Sequence, residues 1–235
     1  MSGAGPDDPL LVLTWRGCLF RVPDGVQPPK AGSLFFCRHL IVQPGERVLE
    51  IGAGLGLAAV LAARAGATVV ATDVVPAAIE SIRMNAALNG VTIDARLGDA
   101  WSPVLGERFD VVCTNPPQMP TPPGRDRDDA EAAADNGGSD GWALLDRVIA
   151  DAPAHLERGG RLLFSIFEFL GLKNAHEKLE AVGLVPRVVA RETQSFPRIG
   201  YERLDHLRAV DRESTLPAHG LPRTVERYIV EGTRE

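Results

Sequence analysis

From Arg47 onward, short apolar runs rich in Val, Ile and Leu alternate with Ala- and Leu-rich segments of helical period. The short runs predict strands at Val48–Ile51, Thr68–Thr72, Val91–Leu97, Phe109–Cys113 and Arg161–Phe167, and two late strands at Val185–Ala190 and Arg227–Val230. Between them the pattern predicts helices at Leu57–Ala65, Pro76–Leu88, Gly141–Leu156 and Leu172–Val182. Pro76 near a first turn and Asn89-Gly90 after a last turn bound one of these helices. Upstream, Leu10–Trp15 and Cys18–Val22 alternate around Arg16-Gly17, which predicts a hairpin. Pro23-Asp24-Gly25 and Pro28-Pro29 break that pattern. An apolar helix then opens at Ala31 and runs to about Leu40, with Ser33 where a helix N-cap would stand. Strand–helix alternation of this kind predicts an α/β fold with a doubly wound, mostly parallel sheet. Residues 1–44 are expected to form a hairpin and helix packed on a single compact unit spanning 45–235.

In such a sheet ligands bind outside the carboxyl ends of the strands. Four strand ends there carry chemistry. Val48-Leu49-Glu50-Ile51 runs into Gly52-Ala-Gly54-Leu-Gly56, a strand, tight turn and helix start. Glycines at alternate positions turn the backbone and let a ligand approach main-chain N–H groups at the helix start. Asp73 ends the next strand, about 20 residues on, the spacing at which a carboxylate reaches ribose hydroxyls in a nucleotide-binding βαβ unit. Leu57 stands where the dehydrogenase pattern needs its third glycine, so a dehydrogenase is disfavoured, while a nucleoside-type ligand remains. Gly98-Asp99-Ala100 follows the third strand and Asn115-Pro116-Pro117-Gln118 the fourth. The two prolines stiffen that strand end. They place two acceptors, the Asn115 side-chain oxygen and the Pro116 carbonyl, where they can take both N–H bonds of an NH₂ group. That geometry suits an amide or aniline-like nitrogen, whose lone pair is delocalised, attacking an electrophilic methyl in line.

These residues resemble a class I S-adenosylmethionine-dependent methyltransferase. More narrowly they resemble the small-domain group of HemK-type protein-glutamine methyltransferases and related N-methyltransferases. The likeness covers Pro28 to Phe169 well and the C-terminal part loosely. It implies a seven-stranded sheet and S-adenosyl-L-methionine as cofactor. By the same likeness Glu50, Gly52, Gly54 and Gly56 would form the methionine-side loop, and Asp73 would hold the ribose hydroxyls. Val74 would pack on the adenine, Asp99 would accept from its amino group with Ala100 alongside, and Ser33 would approach the methionine carboxylate. Asn115, Pro116, Pro117 and Gln118 match the N/D-P-P-Y/F motif of nitrogen-directed members. Gly137-Gly138-Ser139-Asp140-Gly141 resembles the Gly-Gly-x-x-Gly segment that follows the motif in HemK-like enzymes. Three departures stand out. Gln118 replaces an aromatic that in the family stacks on a flat substrate group, so Gln118 would hydrogen-bond a polar substrate or stacking would come from Trp101, Phe35, Trp142 or Phe167. Pro29-Lys-Ala-Gly-Ser33 replaces an acidic pair before a threonine. The stretch before Val48 is too short for the helical N-terminal domain of bacterial release-factor methyltransferases.

The expected reaction is therefore methyl transfer to an amide or amine nitrogen, on a small metabolite or on a protein glutamine, with a slight lean to the small molecule. A nucleic-acid base and a non-catalytic cofactor-binding subunit are the alternatives, and oxygen methylation would survive if Asn115 were purely structural. Net charge is −6, with no basic stripe, which argues against nucleic acid. The chain has 235 residues and is 45% hydrophobic, enough for one substantial core. It has no apolar run long enough to span a membrane, and polar Met1–Pro9 lacks a secretion signal. Cys18, Cys37 and Cys113 are scattered in apolar surroundings, as expected of reduced buried thiols in a cytoplasmic protein. His39, His155 and His176 lack metal-ligand spacing, and no metal is expected. Two long connections, Met119–Asp140 and Phe196–Arg223, are expected to cover the ligand edge. The second offers His206 or His219 as a base, Glu168 is a further candidate for substrate contact, and Asp126–Glu131 reads as a solvated charge cluster. The oligomeric state is left open.

Overall fold

The computed structural model describes residues 11–24, 26–124 and 135–235. Met1–Pro9 and the Asp126–Glu131 cluster lie outside the described residues. Strands β3 (Arg47–Ile51), β4 (Thr68–Asp73), β5 (Asp94–Leu97), β6 (Phe109–Thr114), β7 (Leu156–Phe167), β8 (Leu184–Ser195) and β9 (Thr224–Arg234) form one sheet in the order β5-β4-β3-β6-β7-β9-β8. The first five run parallel, and β9 inserts antiparallel between β7 and β8. The order reverses between β3 and β6, where a crevice opens at the carboxyl edge. Helices α1 (Ala31–His39), α2 (Leu57–Arg64), α3 (Pro76–Leu88), α4 (Ala143–His155) and α5 (Leu172–Ala181) flank the sheet. Two apolar clusters cover its faces. One gathers Phe109, Leu145, Leu156, Leu162, Phe164 and Leu179. The other gathers Phe20, Phe35, Phe36, Val48, Val60, Ile82 and Val111. Val111 and Val112, consecutive on β6, fall in different clusters, as period-two alternation in a sheet covered on both faces requires.

Three strands run longer than the apolar pattern predicts. β7 begins at Leu156 and passes through Gly159-Gly160; β8 includes Pro186, Arg187, Arg191 and Glu192; β9 alternates charge with apolar residues. β8 is an edge strand of the sheet, where polar positions face water, so hydrophobic periodicity understates its length. β5 is shorter than expected, because the Val91 N–H caps the end of α3 by bonding the Ala86 carbonyl instead of entering the sheet. The long connection after β8 carries two short helices, α6 (Arg198–Glu202) and α7 (Leu204–Val210).

The N-terminal hairpin pairs β1 (Leu11–Trp15) with β2 (Cys18–Val22), and both turn residues, Arg16 and Gly17, take positive φ. α3 holds this hairpin as another strand would. Asn85 Oδ1 accepts from Arg21 N–H at 2.8 Å while its Nδ2 donates to the Arg21 carbonyl at 3.1 Å. One turn on, Asn89 does the same with both backbone groups of Leu19, at 2.9 and 2.7 Å. A carboxamide offers the donor and acceptor of a peptide. Helix positions four apart lie about 6 Å apart, close to the roughly 6.6 Å between alternate strand residues. Asn85 Nδ2 also reaches the Leu55 carbonyl at 3.0 Å, which ties the hairpin to the glycine turn.

Candidate functional site

A cleft of about 1030 Å³ opens at the carboxyl edge and is bounded by the ends of β3, β4, β5 and β6, by α1 and by α6. Of the candidate cofactor and motif residues, Ser33, Glu50, Gly52, Gly54, Asp73, Val74, Asp99, Ala100 and Asn115 to Gln118 are on its wall, and Gly56 is not. The three glycines of the turn all have positive φ but serve different ends. A Cβ at Gly52 or Gly54 would project into open space, whereas one at Gly56 would press on Ile82 at 3.2–3.3 Å. Gly52 and Gly54 thus leave room beside the main chain; Gly56 lets α2 pack on α3.

Asp73 spans the turn. Its Oδ2 accepts from Gly54 N–H and its Oδ1 from Val75 N–H, both at 2.9 Å. Each carboxylate oxygen keeps acceptor capacity for a ligand hydroxyl. Val74, the next residue, is 59% exposed on the cleft wall, an apolar surface of the kind that a flat ring covers. Asp99 is held from outside by Arg147, whose Nη2 lies 2.6 Å from Oδ2. Ala100, buried beside it, takes φ 46°, a conformation rare for residues with a Cβ. Glu50 sits beneath the turn, where its Oε2 accepts from Ala59 N–H at 2.7 Å. Burial pushes its pKa up to about 8 despite that bond, and the Asp73 charge adds to the rise.

The other half of the cleft is assembled from distant segments. Asn115 Nδ2 donates to Ser33 Oγ at 3.3 Å, and Ser165 Oγ on β7 makes a short bond to Asn115 Oδ1. Ser33 is not the helix N-cap expected from the sequence. Pro28-Pro29 carry the chain extended into Lys30, which caps α1 and accepts Ser33 N–H on its carbonyl, so Ser33 falls inside the first turn and turns its hydroxyl to Asn115. Gln118 is 4% exposed and fully engaged, its Nε2 by the Ser165 carbonyl and hydroxyl and its Oε1 by Phe167 N–H at 2.8 Å. That leaves it committed to the protein rather than offered to a polar substrate. Of the aromatic candidates, Trp101 is stacked on His155, Trp142 bonds the Leu170 carbonyl and Phe35 is buried against His39. Phe167 lines the cleft, and the Arg227 guanidinium lies 3.8 Å from its ring centre.

Sequence reasoning missed Arg227 and Ser165 as site residues. Arg227 stands on β9, 8% exposed, and burial lowers its pKa to about 10. Gly32 on α1 makes room for it, since a Cβ there would fall 2.6 Å from the guanidinium carbon. The available signal was an arginine at the head of the short apolar run Arg227–Val230. Gly137 and Gly141 have a related task. A Cβ at either would strike the Gln118 backbone, and the motif and the glycine segment are stitched by Thr121 N–H to Gly138 O and Gly137 N–H to Met119 O. Lys30 pairs with Asp135 at 3.0 Å across the mouth. Buried Arg203, next to α6, bonds Thr121 Oγ1 at 2.7 Å. His206 Nε2 meets the Ser139 carbonyl at 2.7 Å, which joins the two long connections, and His206 does not line the cleft. Glu168 accepts from Glu226 N–H and does not line the cleft. The three cysteines are buried and free. Among the described residues no His, Cys, Asp and Glu cluster could hold a metal, and no helix is long and apolar enough to cross a membrane.

The glycine turn with room beside its main chain, the unfilled acceptor capacity of Asp73 and the exposed Val74 fit a nucleoside with a charged tail, as S-adenosylmethionine is. The model of the methyltransferase small domain matches residues 27–122. A Methanocaldococcus jannaschii protein named, provisionally, as a protein N5-glutamine methyltransferase is 32% identical over 190 residues, covering 80% of this chain and 96% of that one. The release factor glutamine methyltransferase of Cereibacter sphaeroides is 33% identical over 207 residues, 82% of this chain and 71% of that one. In fold, the chain is similar to the E. cuniculi Mtq2–Trm112 complex responsible for methylating the eRF1 translation termination factor, with TM-score 0.60, 22% identity, and coverage of 90% of this chain and 99% of that one. On the strength of its match to these relatives along most of its length, the chain belongs to the HemK-like protein N5-glutamine methyltransferases of the class I S-adenosylmethionine-dependent fold.

Proposed function

We propose that this protein methylates the side-chain amide nitrogen of a glutamine in a protein of the translation apparatus. The observation that carries the reading is the meeting of Asn115 and Pro116 with the glycine turn and Asp73 in one cleft. The relatives move the slight lean toward a small molecule to the protein glutamine: they are named for release factors and, in Bradyrhizobium diazoefficiens, for ribosomal protein uL3. When bound, S-adenosylmethionine supplies a methyl on a sulfonium, made electrophilic by the positive charge. Ser33 and the Gly52–Gly56 turn would hold its amino-acid end, Asp73 its ribose, and Val74, Asp99 and Ala100 its adenine. Asn115 Oδ1 and the Pro116 carbonyl accept the two N–H bonds of the glutamine amide, fix its plane and leave one lobe of nitrogen directed at the methyl. The Pro116 carbonyl is nearly free for this, with only a 3.4 Å approach from Gln118. A carboxamide nitrogen is a poor nucleophile, so positioning and electrostatics supply the acceleration and no covalent enzyme intermediate is formed.

The protein would act in the cytoplasm, as a single compact unit. A partner protein, of the kind that Trm112 is for Mtq2, is a further possibility to be tested by pull-down. The direct test is incubation with S-adenosylmethionine and purified release factor, followed by peptide mass spectrometry. The expected outcome is one added methyl on a glutamine. Cofactor binding by calorimetry without any methylated glutamine would sink the acceptor assignment and return the small molecule to first place.

A further inference from the structure

The side chains behind Asn115 form a network whose proton directions can be deduced. Two backbone groups anchor it. Phe167 N–H can only donate, so the Gln118 atom that it meets at 2.8 Å is the amide oxygen. Gln118 Nε2 then faces β7, where the Ser165 carbonyl, which can only accept, lies at 3.2 Å and Ser165 Oγ also at 3.2 Å. Arg227 Nη1, a donor without acceptor capacity, approaches the same Oγ at 3.3 Å. A serine hydroxyl has two lone pairs and one proton. With donors on both lone pairs, the proton of Ser165 goes to its remaining neighbour, Asn115 Oδ1. Asn115 is thereby set with oxygen toward β7 and nitrogen toward Ser33, whose Oγ accepts from Nδ2. The second lone pair of Asn115 Oδ1 has only a 3.5 Å approach from Arg227 Nη1, at the edge of hydrogen-bond reach.

We propose that Gln118, Ser165 and Arg227 are positioning residues that lock the Asn115 carboxamide in the one orientation that presents an oxygen lone pair to the acceptor nitrogen. A flipped Asn115 would present NH₂ to the NH₂ of the acceptor, donor against donor. The buried Ser165 hydroxyl sets that choice, and Gln118 and Arg227 set the hydroxyl. Arg227 is itself held by the Phe167 ring and by the gap that Gly32 leaves. For its rate readout the proposal rests on the methyl-transfer reading of this site.

The test compares Ser165→Ala and Ser165→Thr with the wild type in two readouts. The first is steady-state methylation of release factor. Ser165→Ala is expected to lower kcat about tenfold or more while S-adenosylmethionine affinity by calorimetry stays unchanged, and Ser165→Thr, which keeps the hydroxyl, restores most of the rate. The second is the Asn115 side-chain amide pair by NMR in the free protein. Those signals are expected to be sharp and slow to exchange in the wild type, and broadened or fast-exchanging in Ser165→Ala. Unchanged amide signals, or a rate loss that Thr does not restore, would overturn the lock. Should Ser165→Ala not fold, Arg227→Met takes its place with Arg227→Lys as the rescue. If the wild type methylates no release factor, the acceptor reading fails and the amide signals alone still decide the lock.

Discussion

The two halves of the cleft are built by different means. On the cofactor side, the groups that face the ligand come from one turn and the ends of β3, β4 and β5; apart from Asp99, which reaches Arg147 on α4, they are held by bonds within that neighbourhood: Asp73 to Gly54 and Val75, Glu50 to Ala59. On the acceptor side, Asn115 is set by Ser33, Ser165 and Arg227, 82, 50 and 112 residues away in sequence. The first half is a local motif that folds with its strand and helix. The second exists only once α1, β7 and β9 have packed around β6. Perturbations of the first half are therefore expected to appear in cofactor affinity, and perturbations of the second in turnover.

The largest expected effect tests that division on the acceptor side. Asn115→Ala removes the proposed acceptor of the glutamine amide and leaves the glycine turn intact. Turnover is expected to fall about 10²–10³-fold, the cost of losing one preorganised polar contact in a transition state, with S-adenosylmethionine affinity by calorimetry unchanged. A variant that loses affinity in proportion to turnover would mean that the halves are one unit. The mirror experiment is Asp73→Ala. Loss of charged hydrogen bonds to the ribose is expected to weaken cofactor binding by about 1.5–3 kcal/mol, visible by calorimetry as a roughly ten- to hundredfold rise in Kd. Turnover at saturating cofactor should change far less. Unchanged affinity would place the ribose elsewhere in the cleft.

The same contrast explains what the sequence revealed. The sheet, its helices and the strand ends that line the cleft were legible because each is written in contiguous residues: an apolar run, a glycine turn, a carboxylate at the next strand end. Asn115 and Pro116 were legible for the same reason. What lay hidden was the side-chain network, because nothing in the neighbourhood of Arg227 announces that β9 slots beside β7 and delivers it under Gly32. Gln118 was misjudged on the same ground. Read alone it is a polar side chain at a ligand edge, and only the presence of Ser165 and Phe167 N–H shows that its amide is spent. The paired bonds of Asn85 and Asn89 to β2 were equally invisible, since a helical asparagine pair carries no mark of the strand that it imitates.

A smaller effect should separate the halves by pH. Glu50, under the cofactor turn, has its carboxyl pKa raised from 4.5 to about 8 by burial. Between those values the folded state keeps a proton that the unfolded chain releases, so stability falls as pH rises through that window and levels off above it. The slope from this group is at most about 1.4 kcal/mol per pH unit. Glu50→Gln carries no titrating proton, and its urea midpoint should decline less than that of the wild type between about pH 5 and pH 8. Arg227, behind the acceptor half, keeps its charge across the same window, its pKa lying at about 10. Equal pH slopes for the two proteins would mean that Glu50 is ionised in the folded state at neutral pH.

The smallest effect belongs to Asn89, and it is the control on the rest. Asn89→Ala removes two bonds to Leu19 and one to the Asn85 carbonyl at the partly exposed end of α3, outside the lining of the cleft. The freed strand groups can turn to water, so the cost is expected to be about 1 kcal/mol, a fall in Tm of about 2–4 °C for a chain of this size. Cofactor affinity and turnover per folded molecule should both match the wild type. Asn85 is not equivalent, because it also holds the Leu55 carbonyl in the glycine turn. If Asn89→Ala nevertheless shifted cofactor affinity, the hairpin would have to be counted as part of the cofactor half, since its other anchor, Asn85, is the one route by which a loosened β2 reaches the turn through hydrogen bonds among the described residues.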